Sequence, residues 1–290
     1  GLGWQDLRTV GECLGLGAQG FHIAPNIVAT KAQHLLDLAD PDRTRDLCIG
    51  TVDSWVAWTL SGGALHVSDA TNLALYGLRS DDQASWHDRL LGLLRIPEGA
   101  LPAPVDSIGA IGEASVLPGA PPIAGILGDQ QASLLGQGCV APGQAKITFG
   151  TGGMLDLCLD DRPAFATQGG GGTFPVVTRS QGGVRRWGLE AVMLAAGTNV
   201  EWLRDDLGVI ATAAESHDVA SQVESTDGVV YVPALLGLGT PQWDYGARGA
   251  LLGITRGTGR PHVVRAVLEG RTLDVEQVPQ VARDPRPLGG

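Results

Sequence analysis

The residues that could do chemistry lie close together, in the segment 123–154. Asp129 follows an apolar run from Ile123 to Leu127 and a single glycine, Gly128, and a helix-forming segment begins at Gln130. This pattern predicts a buried strand that stops at a glycine and presents a carboxylate where the chain turns into a helix. Because ligands of open α/β sheets bind at the carboxyl ends of strands, Asp129 is a candidate catalytic residue.

A second chemical signal follows in the segment Gly150-Thr151-Gly152-Gly153. The residues from Lys146 to Phe149 and from Met154 to Leu159 read as strands on either side of this glycine-rich turn. A turn of this kind can cradle phosphate oxygens with its N–H groups and its threonine hydroxyl. An acid that orients a hydroxyl group and a turn that holds phosphate are two of the parts that phosphoryl transfer needs. The alternative for Asp129 is an N-cap of the Gln130 helix, and spacing alone leaves both open.

The elements that must position these residues are predicted from local patterns. Thr30 is expected to cap a helix that reaches Leu38. A second helix is expected to start after Thr51, with its larger apolar side chains facing inward, namely Val52, Trp55, Val56 and Leu60. The polar run 68–72 is predicted to cap a helix, with a place lining a cleft as the alternative.

A long helix is predicted from Glu190 to Leu207, with Gly197 in its interior. A glycine inside a helix is unfavourable relative to alanine, so another element or a ligand is expected to approach the backbone there, with packing as the commoner cause. A domain boundary is predicted between Gly136 and Gly143, where the periodic pattern is interrupted.

Composition restricts the class of protein. The chain has 290 residues, of which 43% are hydrophobic and 18% charged, and this balance is typical of a folded domain. The net charge of −11 argues against a nucleic-acid or anionic-membrane partner, because phosphate groups attract basic surfaces. The four cysteines form no C-x-x-C motif and predict buried free thiols in a reducing compartment. With no apolar run long enough to span a bilayer, a cytoplasmic location is expected.

Several motifs in order resemble the FGGY carbohydrate kinases, and specifically their glycerol kinase branch. The segments that carry the resemblance are Gly50-Thr51-Val52-Asp53-Ser54-Trp55, Thr71-Asn72, Gly128-Asp129-Gln130-Gln131, Gly150-Thr151-Gly152, Trp202-Leu203-Arg204-Asp205, Gly237-Leu238-Gly239 and the run from Gly249 to Glu269. The resemblance covers roughly residues 20 to 280, and several spaced motifs in order are far more specific than one.

The resemblance implies an α/β, two-domain, ribonuclease H-like fold of the actin, hexokinase and Hsp70 type, in which each domain is a β-sheet flanked by helices. Residues 1–137 would be the C-terminal part of the polyol-binding domain, and residues 138–290 the first part of the nucleotide-binding domain. The fold is expected to be incomplete here, because family members carry a first phosphate hairpin and an Arg-Glu pair before the matched part and an adenosine loop after it.

The family pattern also implies the roles of individual residues. Asp129 would take the proton of the attacking hydroxyl group, and Gln130 would contact the polyol. The phosphates of ATP would be held by Gly150, Thr151 and Gly152. The nucleotide would lie beside Gly197 and Glu201. A magnesium ion would be carried by the phosphates, with no carboxylate cage of its own.

The sequence departs from the family pattern at several positions. Asn26 and Met154 stand where the branch has a tyrosine and a phenylalanine that wall the substrate site. Glu201 replaces a glutamine, and His34 replaces a tryptophan. The loss of two aromatic walls predicts a wider substrate pocket than that of a glycerol kinase.

Three functions follow from the resemblance. The leading one is ATP-dependent phosphorylation of a polyol or sugar hydroxyl, with glycerol converted to glycerol 3-phosphate. The alternatives are a kinase for another polyol or ketose, and a non-catalytic or inactive fragment of such a kinase. The expected partner is a small-molecule polyol or sugar, and homo-oligomerisation stays open.

Overall fold

A computed structural model of the chain describes residues 1–3, 6–80, 83–163 and 172–270. The described chain forms two compact units. Unit 1 comprises residues 1–138 together with 176–187, and unit 2 comprises residues 139–175 together with the rest of the chain from residue 188. The division after Gly138 lies between Gly136 and Gly143, where the sequence predicts a domain boundary. The grouping of residues 176–187 with unit 1 was not anticipated, and the assignment of each range to a domain of the family stays a prediction.

Unit 1 is a mixture of helices and short strands. Its helices are α1 (Val10–Gly17), α2 (Val28–Ala39), α3 (Val52–Leu60), α4 (Ala70–Leu73), α5 (Asp88–Leu94) and α6 (Asp129–Gly136). Its strands are β1 (Val67–Asp69), β2 (Ala103–Val105), β3 (Ile108–Glu113) and β4 (Pro122–Gly125). Strands β1 and β2 pair in parallel, whereas β3 and β4 pair in antiparallel fashion.

Two apolar clusters stabilise unit 1. The larger cluster joins α2 and α5 around Leu36, Tyr76 and Leu90. The smaller one places Ala57 of α3 against Val67 and Ile123. Burial of these side chains is the main favourable contribution to folding, at about 25 cal/mol for each Å² of apolar surface removed from water.

The expected orientation of α3 is wrong for three of the four residues named, whereas Leu60 packs against the smaller apolar cluster as predicted. Val52, Trp55 and Val56 are 79%, 69% and 46% exposed, whereas Ser54 and Ala57 face the interior. The helix is apolar on several faces, so periodicity did not select the buried one. The packing of the small Ala57 side chain into the cluster with β1 decides it.

The other helix starts in unit 1 give a mixed result. Helix α2 begins at Val28, so Thr30 lies inside it, buried, and its hydroxyl bonds the Thr9 hydroxyl at 2.8 Å instead of capping. The capping prediction for the polar run is confirmed, because Asp69 accepts hydrogen bonds from the N–H groups of Thr71 and Asn72 at the start of α4. Three of the four free cysteines are buried as expected, but Cys48 is exposed.

The strand before Asp129 is less buried than predicted. Ile123 is buried, but Ala124 and Gly125 of β4 are exposed. In the part of unit 1 that the structure describes, β4 pairs with β3 alone, so the strand lacks the two-sided cover that a continuous apolar run suggests.

Unit 2 is built mainly on strands. The strands described after β4 are β5 (Ala145–Phe149), β6 (Gly153–Cys158), β7 (Phe174–Gln181), β8 (Val184–Met193), β9 (Val230–Val232) and β10 (Ala250–Leu252), and all of them except parts of β7 and β8 lie in unit 2. The helices are α7 (Gly197–Asp205), α8 (Glu215–Ala220) and a further helix at residues 260–270. The first four strands form a sheet with the order β5-β6-β8-β7, of which residues 176–187 group with unit 1.

The hairpin that carries the glycine-rich turn is confirmed. Strands β5 and β6 are antiparallel, and Phe149 pairs with Gly153 next to the turn. Lys146 and Asp156 are cross-strand neighbours, with the Lys146 Nζ and Asp156 Oδ2 atoms 2.7 Å apart and both side chains buried. A one-residue slip would separate this pair, so it helps to fix the register.

The long helix predicted from Glu190 to Leu207 is wrong in its first part and confirmed in its second, which is α7, and Gly197 is the first residue of this helix instead of an interior one. Residues 190–193 belong to β8, where Ala191 pairs with Leu155 and Met193 pairs with Gly153 of β6. The segment is rich in residues that favour helices, and its pairing with β6 overrides that local preference. The helix α7 starts only at Gly197.

Candidate active site

Asp129 is the first residue of α6, four residues after β4 ends at Gly125. The helix is capped by the backbone of Gly128, which has no side chain, so Asp129 is not the N-cap. Its side chain is exposed, and its Oδ1 atom accepts a hydrogen bond of 2.8 Å from the Gln130 N–H. The positive end of the helix dipole favours a negative charge at this position. The carboxylate is therefore accessible from solvent.

The backbone before Asp129 is anchored to the interior of unit 1. The Gly128 N–H donates to the Thr71 hydroxyl at 2.9 Å, and the Ile126 N–H donates to the Ser107 carbonyl at 3.0 Å. Sequence reasoning treated Thr71 only as part of a helix-capping run and a family landmark. No local signal shows that its hydroxyl reaches a residue 57 positions later.

The predicted substrate-binding residues lie on separate elements of the chain. Gln130 follows Asp129 on α6 and is half-buried. Asn26 is exposed in the turn before α2 and shares no element with them. Met154 lies on β6 in unit 2, half-buried between its cross-strand partners Thr148 and Val192.

The glycine-rich turn of unit 2 is docked on the start of α7. The Gly150 carbonyl accepts a hydrogen bond of 2.7 Å from the Gly197 N–H. The Thr151 carbonyl accepts from the Ala196 N–H at 2.9 Å and from the Thr198 hydroxyl at 3.2 Å. Within the turn, the Gly150 N–H donates to the Gly152 carbonyl at 2.9 Å. These bonds hold the turn while leaving Thr151 exposed.

Glycine is required where the turn meets the helix. A Cβ atom added at Gly197 would lie 2.5 Å from the Gly150 carbonyl oxygen, and one added at Gly152 would lie 2.8 Å from the Met193 carbonyl oxygen. Both oxygens belong to the backbone, so they cannot rotate away as a flexible side chain could. The close approach expected at Gly197 is therefore made by another element, the glycine-rich turn itself.

The helix α7 is also held by a buried polar contact with β9. The Tyr231 hydroxyl donates to Asn199 Oδ1 at 2.8 Å, and the Tyr231 ring stacks on Trp202 with centroids 6.0 Å apart. Both Asn199 and Tyr231 are buried, whereas Glu201, one turn after Gly197, is exposed. Glu201 is therefore exposed to solvent on a helix that these contacts hold in place.

Alkaline pH is expected to destabilise the chain through Tyr231, because burial raises the pKa of Tyr231 to about 12 from its ordinary value of 10.0. The unfolded chain releases the phenol proton near pH 10, and the folded chain retains it to about pH 12. The stabilisation is therefore complete below pH 10 and is lost as pH rises through this interval, by about 2 kcal/mol. Denaturant unfolding at pH 9 to 12 measures this slope.

The matched variants for this prediction are Tyr231→Phe and Tyr245→Phe. Tyr231→Phe is expected to flatten the slope and to cost about 1–2 kcal/mol at neutral pH, because Asn199 Oδ1 loses its donor. Tyr245 is 65% exposed, and its replacement is expected to leave both the pH slope and the stability at neutral pH unchanged. An equal slope in the Tyr231→Phe variant would contradict the assignment. The pKa of Tyr76 is also raised by burial, so part of the slope should persist.

Among the described residues, no group of three or more His, Cys, Asp or Glu side chains could hold a metal ion. None of the helices traced in residues 1–270, outside the gaps given above, is long and apolar enough to cross a membrane.

The chain thus combines an exposed aspartate at a strand-to-helix junction with a glycine-rich hairpin turn docked on the start of a helix, in an α/β fold. Known families and structures contain similar chains. Residues 145–284 match the C-terminal domain of the FGGY family of carbohydrate kinases. Residues 145–284 are thus similar to this family, and the relatives described next extend the similarity to nearly the whole chain.

The relatives with similar sequences include glycerol kinases of several bacteria. The glycerol kinase of Aromatoleum aromaticum is 43% identical over 298 residues, which cover 97% of this chain and 60% of the relative. That of Gloeobacter violaceus is 42% identical, with 95% and 57% covered. The chain thus spans about three fifths of the length of these curated relatives.

Solved structures identify the fold. A crystal structure of Plasmodium falciparum glycerol kinase with ADP matches with a TM-score of 0.85 at 25% identity, over 97% of this chain and 59% of that one. A xylulose kinase from Rhodospirillum rubrum matches with a TM-score of 0.78 at 22% identity, over 96% and 58%. The predicted fold class, the actin, hexokinase and Hsp70 type, is confirmed.

Proposed function

We propose that this chain forms part of a kinase that transfers the γ-phosphoryl group of ATP to a hydroxyl group of a polyol, with glycerol as the leading substrate and glycerol 3-phosphate as the product. The observation that carries the proposal is the exposed Asp129 carboxylate at the start of α6, within the Gly128-Asp129-Gln130-Gln131 motif. The 43% identity to a bacterial glycerol kinase over nearly the whole chain supports it.

In this proposal Asp129 is the catalytic base. The substrate oxygen forms a bond to the γ-phosphorus, the bond from that phosphorus to the β–γ bridging oxygen breaks, and ADP leaves. The hydroxyl proton passes to the Asp129 carboxylate. A carboxylate is too weak a base to ionise an alcohol beforehand, so the proton moves as the new bond forms.

Unit 2 would supply the nucleotide site. We assign the β- and γ-phosphates to Gly150, Thr151 and Gly152, because the docked turn keeps Thr151 on its exposed side. We place Gly197 and Glu201 beside the nucleotide, where the start of α7 offers a favourable potential for anions. The hydrogen bonds between the turn and α7 would hold the site ready before the nucleotide binds.

Magnesium belongs to the proposal as a companion of the phosphates, whose charge it would neutralise. The donor set fits this role, since a magnesium ion of this kind is bound mainly through phosphate oxygens and water and needs few protein ligands. The part of the chain that the structure describes offers no cluster of acidic side chains that would suggest a different arrangement.

The choice of substrate is the least constrained part of the proposal. Gln130, half-buried beside Asp129, is assigned to the polyol, and Asn26 and Met154 stand where aromatic side chains are expected in the glycerol kinase branch. Smaller or more flexible side chains leave more room, so a longer polyol or a ketose is the second candidate substrate. All four cysteines are free, which suits the reducing cytoplasm to which we assign the protein.

The test is ADP release by the purified chain with ATP and magnesium, across a panel of polyols and ketoses that starts with glycerol, with the phosphorylated product identified by mass. Turnover that depends on one of these compounds would establish the kinase and its substrate class. Because the chain spans about three fifths of its relatives, a non-catalytic fragment is the alternative function. ATP binding by calorimetry without turnover, from a folded chain, would favour that alternative.

A further inference from the structure

A buried polar cluster in unit 1 contacts the backbone segment that precedes Asp129. We define it as the Asp69 cluster, with the members Asp69, Thr71, Asn72, Ser107 and Ser180. Asp69, Ser107 and Ser180 are between 0% and 2% exposed, and Thr71 is 3% exposed. Burying a carboxylate is unfavourable unless hydrogen bonds replace the lost water, so this cluster must be satisfied internally.

The Asp69 carboxylate accepts more hydrogen bonds than a helix cap requires. Its oxygens accept from the backbone N–H groups of Thr71 and Asn72, each at 3.1 Å, which is the capping function. They also accept from the Thr71 hydroxyl at 2.8 Å, the Asn72 amide at 2.9 Å and the Ser107 hydroxyl at 2.5 Å. Bonds to an ionised acceptor are stronger than neutral ones, so the Thr71 hydroxyl is firmly oriented.

The orientation of the Thr71 hydroxyl decides what else it can do. A hydroxyl has one hydrogen to donate, and Thr71 gives it to Asp69. Towards Gly128 the Thr71 hydroxyl can therefore act only as an acceptor. It accepts the Gly128 N–H at 2.9 Å. The two hydrogen bonds therefore have one direction of donation: Gly128 donates to Thr71, and Thr71 donates to Asp69.

Ser107 anchors the same backbone at a second point. Its carbonyl accepts the Ile126 N–H at 3.0 Å. Ser107 is itself held by Ser180 through two reciprocal bonds, from the Ser107 N–H to Ser180 Oγ at 3.0 Å and from the Ser180 N–H to Ser107 Oγ at 2.8 Å. The segment from β4 to α6 is thus attached to the Asp69 cluster at both of its ends.

We propose that Thr71 is a positioning residue for Asp129, because its Asp69-oriented hydroxyl fixes Gly128, the residue that caps α6 and precedes the base. The proposal rests on the proposed function, in which Asp129 is the base. Asp129 is exposed, and the one hydrogen bond described for its side chain goes to its neighbour Gln130, so its place depends on its backbone. A displacement of about 1 Å at a reacting group can lower a rate by as much as 100-fold.

Thr71→Val tests the proposal, because it removes the acceptor for the Gly128 N–H while keeping the shape of the side chain. We expect kcat to fall about tenfold or more, with the KM for ATP unchanged. Thr71→Ser retains the hydroxyl and is expected to restore kcat to within about threefold of the unmodified chain. The matched control is Thr30→Val, which also loses a buried hydroxyl bond in unit 1, to Thr9. It is expected to lower stability and leave kcat unchanged.

An NMR readout separates this proposal from the proposed function. In Thr71→Val the Gly128 amide proton is expected to exchange faster by about tenfold, and the Asp129 carboxyl carbon to shift, with both effects reversed in Thr71→Ser and absent in Thr30→Val. If the unmodified chain shows no turnover, the proposed function fails, and the two NMR signals still decide whether Thr71 positions Asp129. Unchanged signals in Thr71→Val, or an unchanged kcat in an active chain, would overturn the proposal.

Discussion

Asp129→Asn is expected to lower polyol-dependent turnover by about 10²- to 10⁴-fold, the range that a catalytic base contributes. Folding should be unaffected, because the side chain is exposed and asparagine can still accept the hydrogen bond from the Gln130 N–H. The KM for ATP should also be unchanged, since the nucleotide is assigned to residues of unit 2. The measurement is kcat from ADP release at saturating polyol, with the unfolding midpoint determined in parallel.

Asp88→Asn is the matched control for this substitution. Asp88 begins α5 in the same way that Asp129 begins α6, it is exposed, and it lies in the same unit. The two variants make the same change in charge at the same position of a helix, so any general effect of a first-turn carboxylate is shared. Retention of more than about a tenth of the turnover in Asp129→Asn would rule out Asp129 as the base.

Gly197→Ala is expected to weaken ATP binding by about tenfold or more. The new Cβ atom would lie 2.5 Å from the Gly150 carbonyl oxygen, so the turn and α7 must move apart. That movement strains the Gly197-to-Gly150 hydrogen bond of 2.7 Å and displaces Thr151, which is assigned to the phosphates. Overpacking of this kind typically costs about 1–3 kcal/mol. Calorimetric titration with ATP and magnesium measures the change.

Gly257→Ala is the control for Gly197→Ala. Gly257 is also in unit 2, and its added Cβ atom would meet only the Thr255 hydroxyl oxygen, at an ordinary distance of 3.7 Å. Its affinity for ATP is expected to equal that of the unmodified chain. If Gly197→Ala binds ATP as tightly as Gly257→Ala does, then the contact between the glycine-rich turn and α7 does not contribute to the nucleotide site.

Local patterns in the sequence predicted the elements that carry the candidate residues. The apolar run before Asp129, the glycine that ends it and the helix after it appear in the structure as β4, Gly128 and α6. The hairpin around Gly150 appears with its strands in the expected places. Short-range signals suffice here, because strands and turns of this kind are specified by side chains that are neighbours in the chain.

The errors arose where contacts distant in sequence outweigh local preference. Residues 190–193 have the composition of a helix but pair with β6, and α7 begins only at Gly197. Val52 and Trp55 were expected to face inward but are exposed, because the small Ala57 side chain forms the packed face of α3. Both results depend on packing partners outside the segment concerned, namely β6 for residues 190–193 and the cluster around Val67 and Ile123 for α3.

The sequence by itself determined the residue types that can do chemistry, the turns that present them and the family that the chain resembles. Only the tertiary structure decided how they are held. It placed the Thr71 hydroxyl under Gly128 and the Gly150 carbonyl against Gly197, over separations of 57 and 47 positions. The physical reason is that a glycine or a threonine is compatible with many surroundings, and only the folded chain selects the one atom that each of them contacts.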